Sequence, residues 1–208
     1  MAGRARCLAV LILVAHGAAG WVKPKKHATT DFGAATEIPF ALRGEIYTLQ
    51  EGATRLPVFD GKALGAVYAT ALNVPRENFM AGFPGVTRRF EWFAIDYKGQ
   101  FWVKTPGKFH FILTSDDGSI LYIDDQVVID NDGTHAVQTL TGAAELNAGS
   151  HRIRLSYFQG PRYEVALMLW VSPPKEKYRI FDTLDFLPPA TKGTELAGDD
   201  RPTLKLGH

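Results

Sequence analysis

The sequence of 208 residues has little cysteine, little net charge and no long apolar stretch. Its single cysteine, Cys7, excludes a framework of internal disulfides, so the fold has to be stabilised by a buried core. The 23 basic residues nearly balance the 22 acidic ones, which gives no electrostatic reason to expect binding to nucleic acid or to an acidic membrane. A 12% share of aromatic residues, with 20 glycines and 12 prolines, instead favours short strands joined by tight turns.

The first twenty residues have the layout of an export signal. Arg4 and Arg6 precede an apolar run of nine residues at positions 7–15, and small residues follow at positions 17–20. The run is too short to span a bilayer, which needs about 20 residues, so we expect cleavage near Gly20 and secretion to a periplasm or to the cell exterior. No lipid anchor is indicated, because Cys7 precedes the apolar run. Residues 21–36 are predicted to be a leader and residues 188–208 a loosely ordered tail.

The body of the chain, residues 37–187, is predicted to be a single all-β domain, an antiparallel β-sandwich. Apolar and polar residues alternate around Phe109, Phe111 and Leu113, and turn signals recur about every 8 to 12 residues. Residues 105–107 form a turn signal between two strands, and Asp124-Asp125 predicts a hairpin. Residues 45–49 and 67–74 also fit strands, residues 61–72 fit a short helix equally well, and residues 78–87 resemble an ordered surface loop.

The segment Ser115-Asp116-Asp117-Gly118-Ser119 ends one predicted strand and opens the next. Successive side chains of a regular strand point to opposite faces, so two adjacent aspartates serve one site only if the backbone is irregular there. Their repulsion then has to be offset by a cation, and Ca²⁺ prefers such oxygen ligands. Gly118 permits the positive φ that such a bend would use. On the tripeptide alone, an ordinary turn is the favoured interpretation.

The order of motifs around this segment resembles that of the PA14 domain family. The resemblance is carried by residues 109–124, 128–130 and 146–153, together with residues 99–103, 106–107 and 165–170, and it is best over residues 88–172. Glu91-Trp92-Phe93 is similar to the bacterial fibro-slime branch of the family. The resemblance implies a β-sandwich of jelly-roll type.

For the site, the resemblance implies a calcium ion. In sugar-binding members, two adjacent aspartates are joined by a cis peptide and hold Ca²⁺, and a vicinal diol of the sugar completes the coordination. Carried over, the ion ligands are Asp116 and Asp117. Those members add an asparagine from the loop before the last strand, where this chain has Gln159, which is either a ligand or a turn residue bonded to backbone. Arg162 and Tyr163 adjoin this loop, where an aromatic side chain either stacks on a sugar or packs at the sandwich edge.

Asn131, Asp132 and His135 are candidates of second rank. Asp130-Asn131-Asp132-Gly133 looks like part of a calcium loop, but it lacks the spaced acids and terminal glutamate of an EF-hand, so a turn is the better interpretation. A supporting role remains open because loops at one end of a sandwich cluster together. For His135, surface hydrogen bonding is favoured over metal ligation.

The function predicted from the sequence is a secreted module that binds carbohydrate through Ca²⁺. The alternative is a structural or protein-interaction module without sugar binding. An enzyme acting on glycans ranks last, because Glu91, Asp96 and Glu164 show no spacing that favours a catalytic pair and no serine lies in a nucleophile elbow. We therefore predict no catalytic residues.

Overall fold

A computed structural model of the chain describes residues 29–30, 32–161 and 164–190. The predicted export signal, most of the predicted leader and tail, and both Arg162 and Tyr163 lie outside the described residues. Within the described part, no helix is long and apolar enough to cross a bilayer.

Thirteen strands and one short 3-10 helix make up the regular structure of the described residues. In chain order they are β1 (Thr29–Thr30), β2 (Gly33–Ala34), β3 (Leu42–Thr48), β4 (Gly65–Ala69), β5 (Asn73–Asn78), β6 (Phe93–Val103), β7 (Gly107–Asp116), β8 (Ser119–Ile123), β9 (Gln126–Asn131), β10 (Gln138–Leu146), β11 (Gly149–Gln159), β12 (Glu164–Ser172), β13 (Arg179–Ile180) and the 3-10 helix Thr183–Phe186.

The strands form two antiparallel sheets that face each other. The larger sheet has the order β1-β2-β4-β3-β6-β11-β8-β9, and the smaller one has the order β10-β7-β12-β13, with β5 also paired to β12. Buried apolar side chains from the inner faces of both sheets fill one core. This arrangement confirms the predicted all-β antiparallel sandwich.

The sandwich starts earlier than the predicted boundary at residue 37. Strands β1 and β2 lie within the predicted leader and join the larger sheet, while Phe32 between them is fully buried. The carbonyl oxygen of Phe32 accepts a hydrogen bond of 2.7 Å from the Tyr97 hydroxyl. Two-residue strands are too short to produce a periodic pattern, which is why the sequence did not indicate them.

The turn predicted at residues 105–107 does separate two strands, and it joins β6 of the larger sheet to β7 of the smaller one. Two other local predictions differ from the structure. Residues 61–72 contain strand β4 and no helix. The predicted surface loop at residues 78–87 carries Phe79 and Phe83 into the core, where they are 6% and 0% exposed.

An aromatic cluster fills one end of the core. Phe32, Phe79, Phe83, Phe93 and Tyr157 pack with ring centroids 5.0 to 6.1 Å apart. Each buried ring of this size contributes roughly 2 to 3 kcal/mol through the hydrophobic effect. Since Tyr157 belongs to this cluster, its hydroxyl group is held at a fixed position at the end of the sandwich.

The outer face of the larger sheet is partly covered by the loop at residues 49–64. Leu49, Leu56 and Phe59 from this loop pack with Trp92 and Phe158 as a second, smaller apolar cluster. The covered face is therefore shielded from water. The same face carries the fully buried Asp96.

Candidate metal and ligand site

The Asp116-Asp117 pair lies where the chain passes from the smaller sheet to the larger one. Asp116 is the last residue of β7, and Ser119 is the first residue of β8 in the other sheet. The peptide bond between Asp116 and Asp117 is cis, as the family resemblance implied. Both side chains line the same open cavity at this end of the sandwich.

Asp117 is fixed by backbone amides from two different loops. The Gly160 amide donates to Oδ2 at 2.8 Å, and the His135 amide donates to Oδ1 at 3.1 Å. Asp117 is 4% exposed, and burial raises the pKa of its carboxyl group, while the two amide hydrogen bonds act in the opposite direction. Asp117 is thus oriented by the fold, with its negative charge only partly compensated.

Asp116 differs because no donor among the described residues forms a hydrogen bond with its carboxylate. Its backbone carbonyl is held instead, by a hydrogen bond of 2.6 Å from the Tyr157 hydroxyl. Burial, followed by the neighbouring charge of Asp117, raises the pKa of Asp116 to about 6. A carboxylate that is desolvated, repelled by its neighbour and left without a donor favours the binding of a cation.

The cavity at this site has a volume of about 270 Å³. Besides the two aspartates, its lining residues are Thr134, His135, Ala136, Gln159, Pro161 and Glu164. Glu164 forms an ion pair with Arg76, whose Nε lies 2.7 Å from Oε2. Among the polar side chains of these lining residues, carboxylate, hydroxyl and amide oxygens therefore predominate, and Glu164 is already paired with a cation.

Gln159 lines the same cavity, but its amide is already used within the protein. Its Oε1 accepts a hydrogen bond of 2.8 Å from the Tyr157 hydroxyl, and its Nε2 donates to the Pro161 carbonyl at 3.0 Å. Of the two interpretations drawn from the sequence, this geometry matches the residue bonded to the backbone of its own turn. Ligation of an ion through Oε1 stays a prediction that requires release of the Tyr157 hydroxyl.

Of the candidates of second rank, Asn131 forms hydrogen bonds next to the site, and Asp132 lies away from it. Buried Asn131 donates to Ser115 Oγ at 2.9 Å, next to the Ser115–Ser119 hydroxyl pair at 2.7 Å. Asp132 accepts from the Leu56 amide at 2.9 Å and holds the covering loop, so the structure does not bring it into the cavity.

His135 contributes its backbone to the site, while its ring is used in its own loop. Nδ1 lies 2.9 Å from the Ala136 carbonyl oxygen and Nε2 lies 3.0 Å from that of Asn131. The ring nitrogens are thus both engaged with backbone, and the amide of His135 is the group that contacts Asp117.

Gly118 is required for a reason other than the one the sequence suggested. Its φ is not positive, whereas a Cβ atom built at this position would lie 2.7 Å from the Gly133 nitrogen and 2.5 Å from the Phe158 ring. The Gly118 carbonyl also accepts a hydrogen bond of 2.9 Å from the Phe158 amide. Lack of space between two loops, and not backbone conformation, selects glycine here.

Sequence reasoning missed the groups that orient Asp117, because they are backbone amides that carry no residue signature. It also gave no role to Tyr157, which the alternating pattern of β11 identified only as a core residue. Within the described residues, no three His, Cys, Asp or Glu side chains converge on one point, so any ion here is held by two carboxylates and by other oxygen ligands.

The acids considered for catalysis do not form a facing pair at this cavity. Asp96 is fully buried and bound to Arg154 Nε at 2.7 Å, on the outer side of the larger sheet. Glu164 reaches the cavity edge but is paired with Arg76.

Comparisons with known proteins agree with this geometry. The PA14 domain family model matches residues 68–183, more than half of the chain. Among solved structures, the PA14 sugar-binding domain of an RTX adhesin is 17% identical, covering 69% of this chain and 96% of its own, with a TM-score of 0.60. The PA14 domain of the MpAFP antifreeze protein is 19% identical, covering 72% and 93%, with a TM-score of 0.58.

Two further results complete the comparison. The A domain of Epithelial Adhesin 6 from Candida glabrata, solved with Galβ1-3GlcNAc, is 14% identical, covering 73% of this chain and 87% of its own, with a TM-score of 0.50. A search of curated protein sequences found no significant match. At these identities the solved structures support the shared fold, while the family model matches the sequence itself. The chain belongs to the PA14 domain family.

Proposed function

We propose that this domain binds carbohydrate through a calcium ion held by Asp116 and Asp117. The observation that carries the proposal is that both carboxylates line one open cavity while the Asp116 carboxylate has no hydrogen-bond donor among the described residues. Two acids in this arrangement repel each other unless a cation lies between them. Because Ca²⁺ is present at high concentration outside the cell, we also propose that the domain is exported.

The donor set suits Ca²⁺ better than a softer metal. The cavity offers carboxylate, amide and backbone carbonyl oxygens, which are the ligands of hard cations. Its imidazole, on His135, faces backbone oxygens instead. Asp116 and Asp117 would hold the ion, and its positive charge would offset the repulsion that raises the pKa of Asp116.

A sugar is the ligand that best fits the remaining coordination positions. Ca²⁺ takes six to eight oxygen ligands, so two carboxylates leave positions for water or for two adjacent hydroxyl groups. The cavity of about 270 Å³ is open to solvent and large enough to admit a sugar ring above the aspartates. The solved relatives named above as sugar-binding support this proposal through a shared fold.

The other residues predicted for the site have different roles in this proposal. Gln159 positions the Tyr157 hydroxyl and the turn at Pro161, and would become an ion ligand only by releasing Tyr157. Arg162 and Tyr163 follow this turn in the sequence, and we propose that they contact the sugar. His135 holds Asp117 through its amide.

The test has two parts. In thermal unfolding, saturating CaCl₂ should raise the Tm over that in EDTA, since a ligand at about 100 times its Kd adds about 2.7 kcal/mol to the free energy of unfolding. The double variant Asp116→Asn/Asp117→Asn should lose this increase. Asp60→Asn, at an exposed acid in the covering loop, is the matched control and should keep it.

The second part is retention on a panel of immobilised glycans, with calcium and with EDTA. Retention that requires both calcium and the two aspartates supports the proposal. A calcium effect on Tm without calcium-dependent retention would favour the structural or protein-interaction module. The absence of any calcium effect on Tm would contradict the proposal as a whole.

A further inference from the structure

The opposite end of the sandwich carries a second cavity, and we propose that it binds one neutral sugar ring of a glycan without a metal ion. The cavity lies beside Trp102 and Ser150, which are paired across β6 and β11, whereas Gln159 and Phe93 are paired at the aspartate end. The 11-residue strand β11 connects the two ends, which are therefore about 30 Å apart. The two sites share no residue, and the second does not depend on the first.

The size of the cavity limits the ligand to about one ring. Its volume is about 190 Å³, below the range of about 300 to 1,000 Å³ that is typical of pockets for drug-sized molecules. Aromatic side chains line it: Phe101 and Phe186 are buried, and Trp102 is half-buried. The edge-to-face contact between Phe101 and Phe186, at 5.7 Å, fixes these rings in place.

Phe40 adds an aromatic wall at an unusual position. Its side chain is 59% exposed and lines the cavity, and its backbone φ is 63°. A bulky residue with positive φ is uncommon, and exposure of an aromatic ring to water is unfavourable. An apolar ligand face packed against Phe40 would recover this hydrophobic contact.

Polar groups lie at the edge of this aromatic cavity. Ser150 Oγ donates to Gln100 Oε1 at 3.1 Å, and the Gln100 amide nitrogen has no acceptor among the described residues. Thr183, also in the lining, is 1% exposed, and its Oγ1 is one of the two buried side-chain polar atoms of the described residues that form no hydrogen bond. The site thus combines apolar surface with unused hydrogen-bonding groups.

A charged ligand is not favoured, because no charged side chain of the described residues lines this cavity. In the adjoining cavity, Arg179 forms ion pairs with Glu176 at 2.6 Å and with Asp185 at 2.9 Å. A pyranose ring fits these conditions, because it is neutral, carries C–H groups on its faces and has hydroxyl groups around its edge.

The experiment is saturation-transfer difference NMR on the full chain in excess EDTA, with the methyl glycosides of glucose, galactose and mannose as probes. EDTA removes calcium and so prevents binding at a calcium-dependent site. Saturation transfer to the ring protons of a glycoside in EDTA therefore reports binding at the second cavity. We expect transfer with at least one probe, with affinity weakened about fivefold by Gln100→Ala, as for loss of one hydrogen bond, and about tenfold by Trp102→Ala.

The controls separate this site from the aspartate site and from loss of folding. Asp116→Asn/Asp117→Asn should leave the transfer unchanged, and so should Gln126→Ala, an exposed glutamine at the hairpin between β8 and β9. Gln100 is exposed, so its variant reports binding even if Trp102→Ala unfolds. The proposal is overturned if no probe shows transfer in EDTA or if neither cavity variant weakens the transfer. It is also overturned if transfer is seen only after deletion of residues 191–208, because the cavity of the full chain would then not bind the probe.

Discussion

The aspartates at two places in this protein, Asp96 and the Asp116-Asp117 pair, differ in how their charge is compensated. Asp96, on the outer face of the larger sheet, is fully buried and neutralised within the chain: Arg154 Nε and Ser156 Oγ donate to Oδ1 at 2.7 and 2.8 Å. Lys98 Nζ lies 2.7 Å from Oδ2 as an ion-pair partner. At the other place, backbone amides donate to Asp117, while no donor among the described residues forms a hydrogen bond with the Asp116 carboxylate.

Asp96 is thus paired within the protein, whereas the Asp116 carboxylate has no hydrogen-bond donor among the described residues. The Arg154 guanidinium also lies 5.5 Å from the ring centre of Phe59 and 5.2 Å from that of Tyr122, so the cation that neutralises Asp96 is itself held in place. Among the described residues, Arg76 is the cation near the aspartate pair, and it is bound to Glu164. An acid that the described part of the chain leaves without a cation gains more from an external ion than an acid that is already paired.

The largest effect on stability is expected for the complete cluster. Asp96→Asn leaves two cations facing an uncharged amide, and we expect the free energy of unfolding in urea to fall by about 3 kcal/mol, at the lower end for a buried pair because Arg154 and Lys98 are partly exposed. The calcium-induced rise in Tm should remain. Asp60→Asn, an exposed acid, should change stability by less than about 0.5 kcal/mol.

The contact between loops at the aspartate pair can be broken without changing any charge. Gly118→Ala places a methyl group 2.7 Å from the Gly133 nitrogen, and we expect a loss of about 2 kcal/mol in urea unfolding together with a smaller calcium response. Gly61→Ala is the matched control, because a Cβ there meets nothing within 4 Å. Equal stability of both variants would show that the two loops are not packed as described.

Acid should weaken calcium binding through Asp116. Because its pKa is about 6, protons compete with the ion below that pH, and the calcium affinity measured by titration calorimetry should fall about tenfold per pH unit from pH 6 downwards. Between pH 7 and 8 the affinity should be nearly constant. A constant affinity from pH 7 to pH 5 would exclude Asp116 as a ligand.

The smallest effect has the opposite sign to that of Asp96→Asn. In EDTA, Asp116→Asn removes a repelled charge, so the free energy of unfolding should rise by about 1 kcal/mol, after allowance for screening of the partly exposed carboxylate. In EDTA, the folded pKa of about 6 for Asp116 exceeds the unfolded value of about 4, so the stability of the wild type relative to Asp116→Asn should increase as the pH falls from 7 to 4. A decrease in either measurement would contradict the uncompensated charge.

Much of the sandwich could be predicted from the chain itself. Alternation and turn signals located β7, β8, β9, β11 and β12, because each of these strands has one buried face or lies centrally with both faces covered. The prediction failed where a strand is too short to show alternation or where its pattern also fits a helix. Strands β1 and β2 have two residues each, and β4 also fitted a helix, because a short apolar run suits either structure.

The side chains of the candidate site could be predicted, whereas the backbone groups that hold them in place could not. The family resemblance singled out Asp116, Asp117 and Gln159, and the structure places all three at one cavity. The amides of His135 and Gly160 are invisible in a sequence, since every residue except proline has one. The space restriction at Gly118 depends on Gly133 in another loop, so no local pattern reveals it.

The sequence by itself determined the class of fold and the two acids on which function is proposed to rest, because strand periodicity and carboxylate chemistry are local properties. Only the tertiary structure decided which aspartates are neutralised and which are not. That outcome depends on distant partners: Arg154 reaches Asp96 from β11, whereas the described residues of the loops around Asp117 donate backbone amides to it. Charge compensation in a folded protein is a property of contacts between separate segments, and the chain settles it only when those segments pack together.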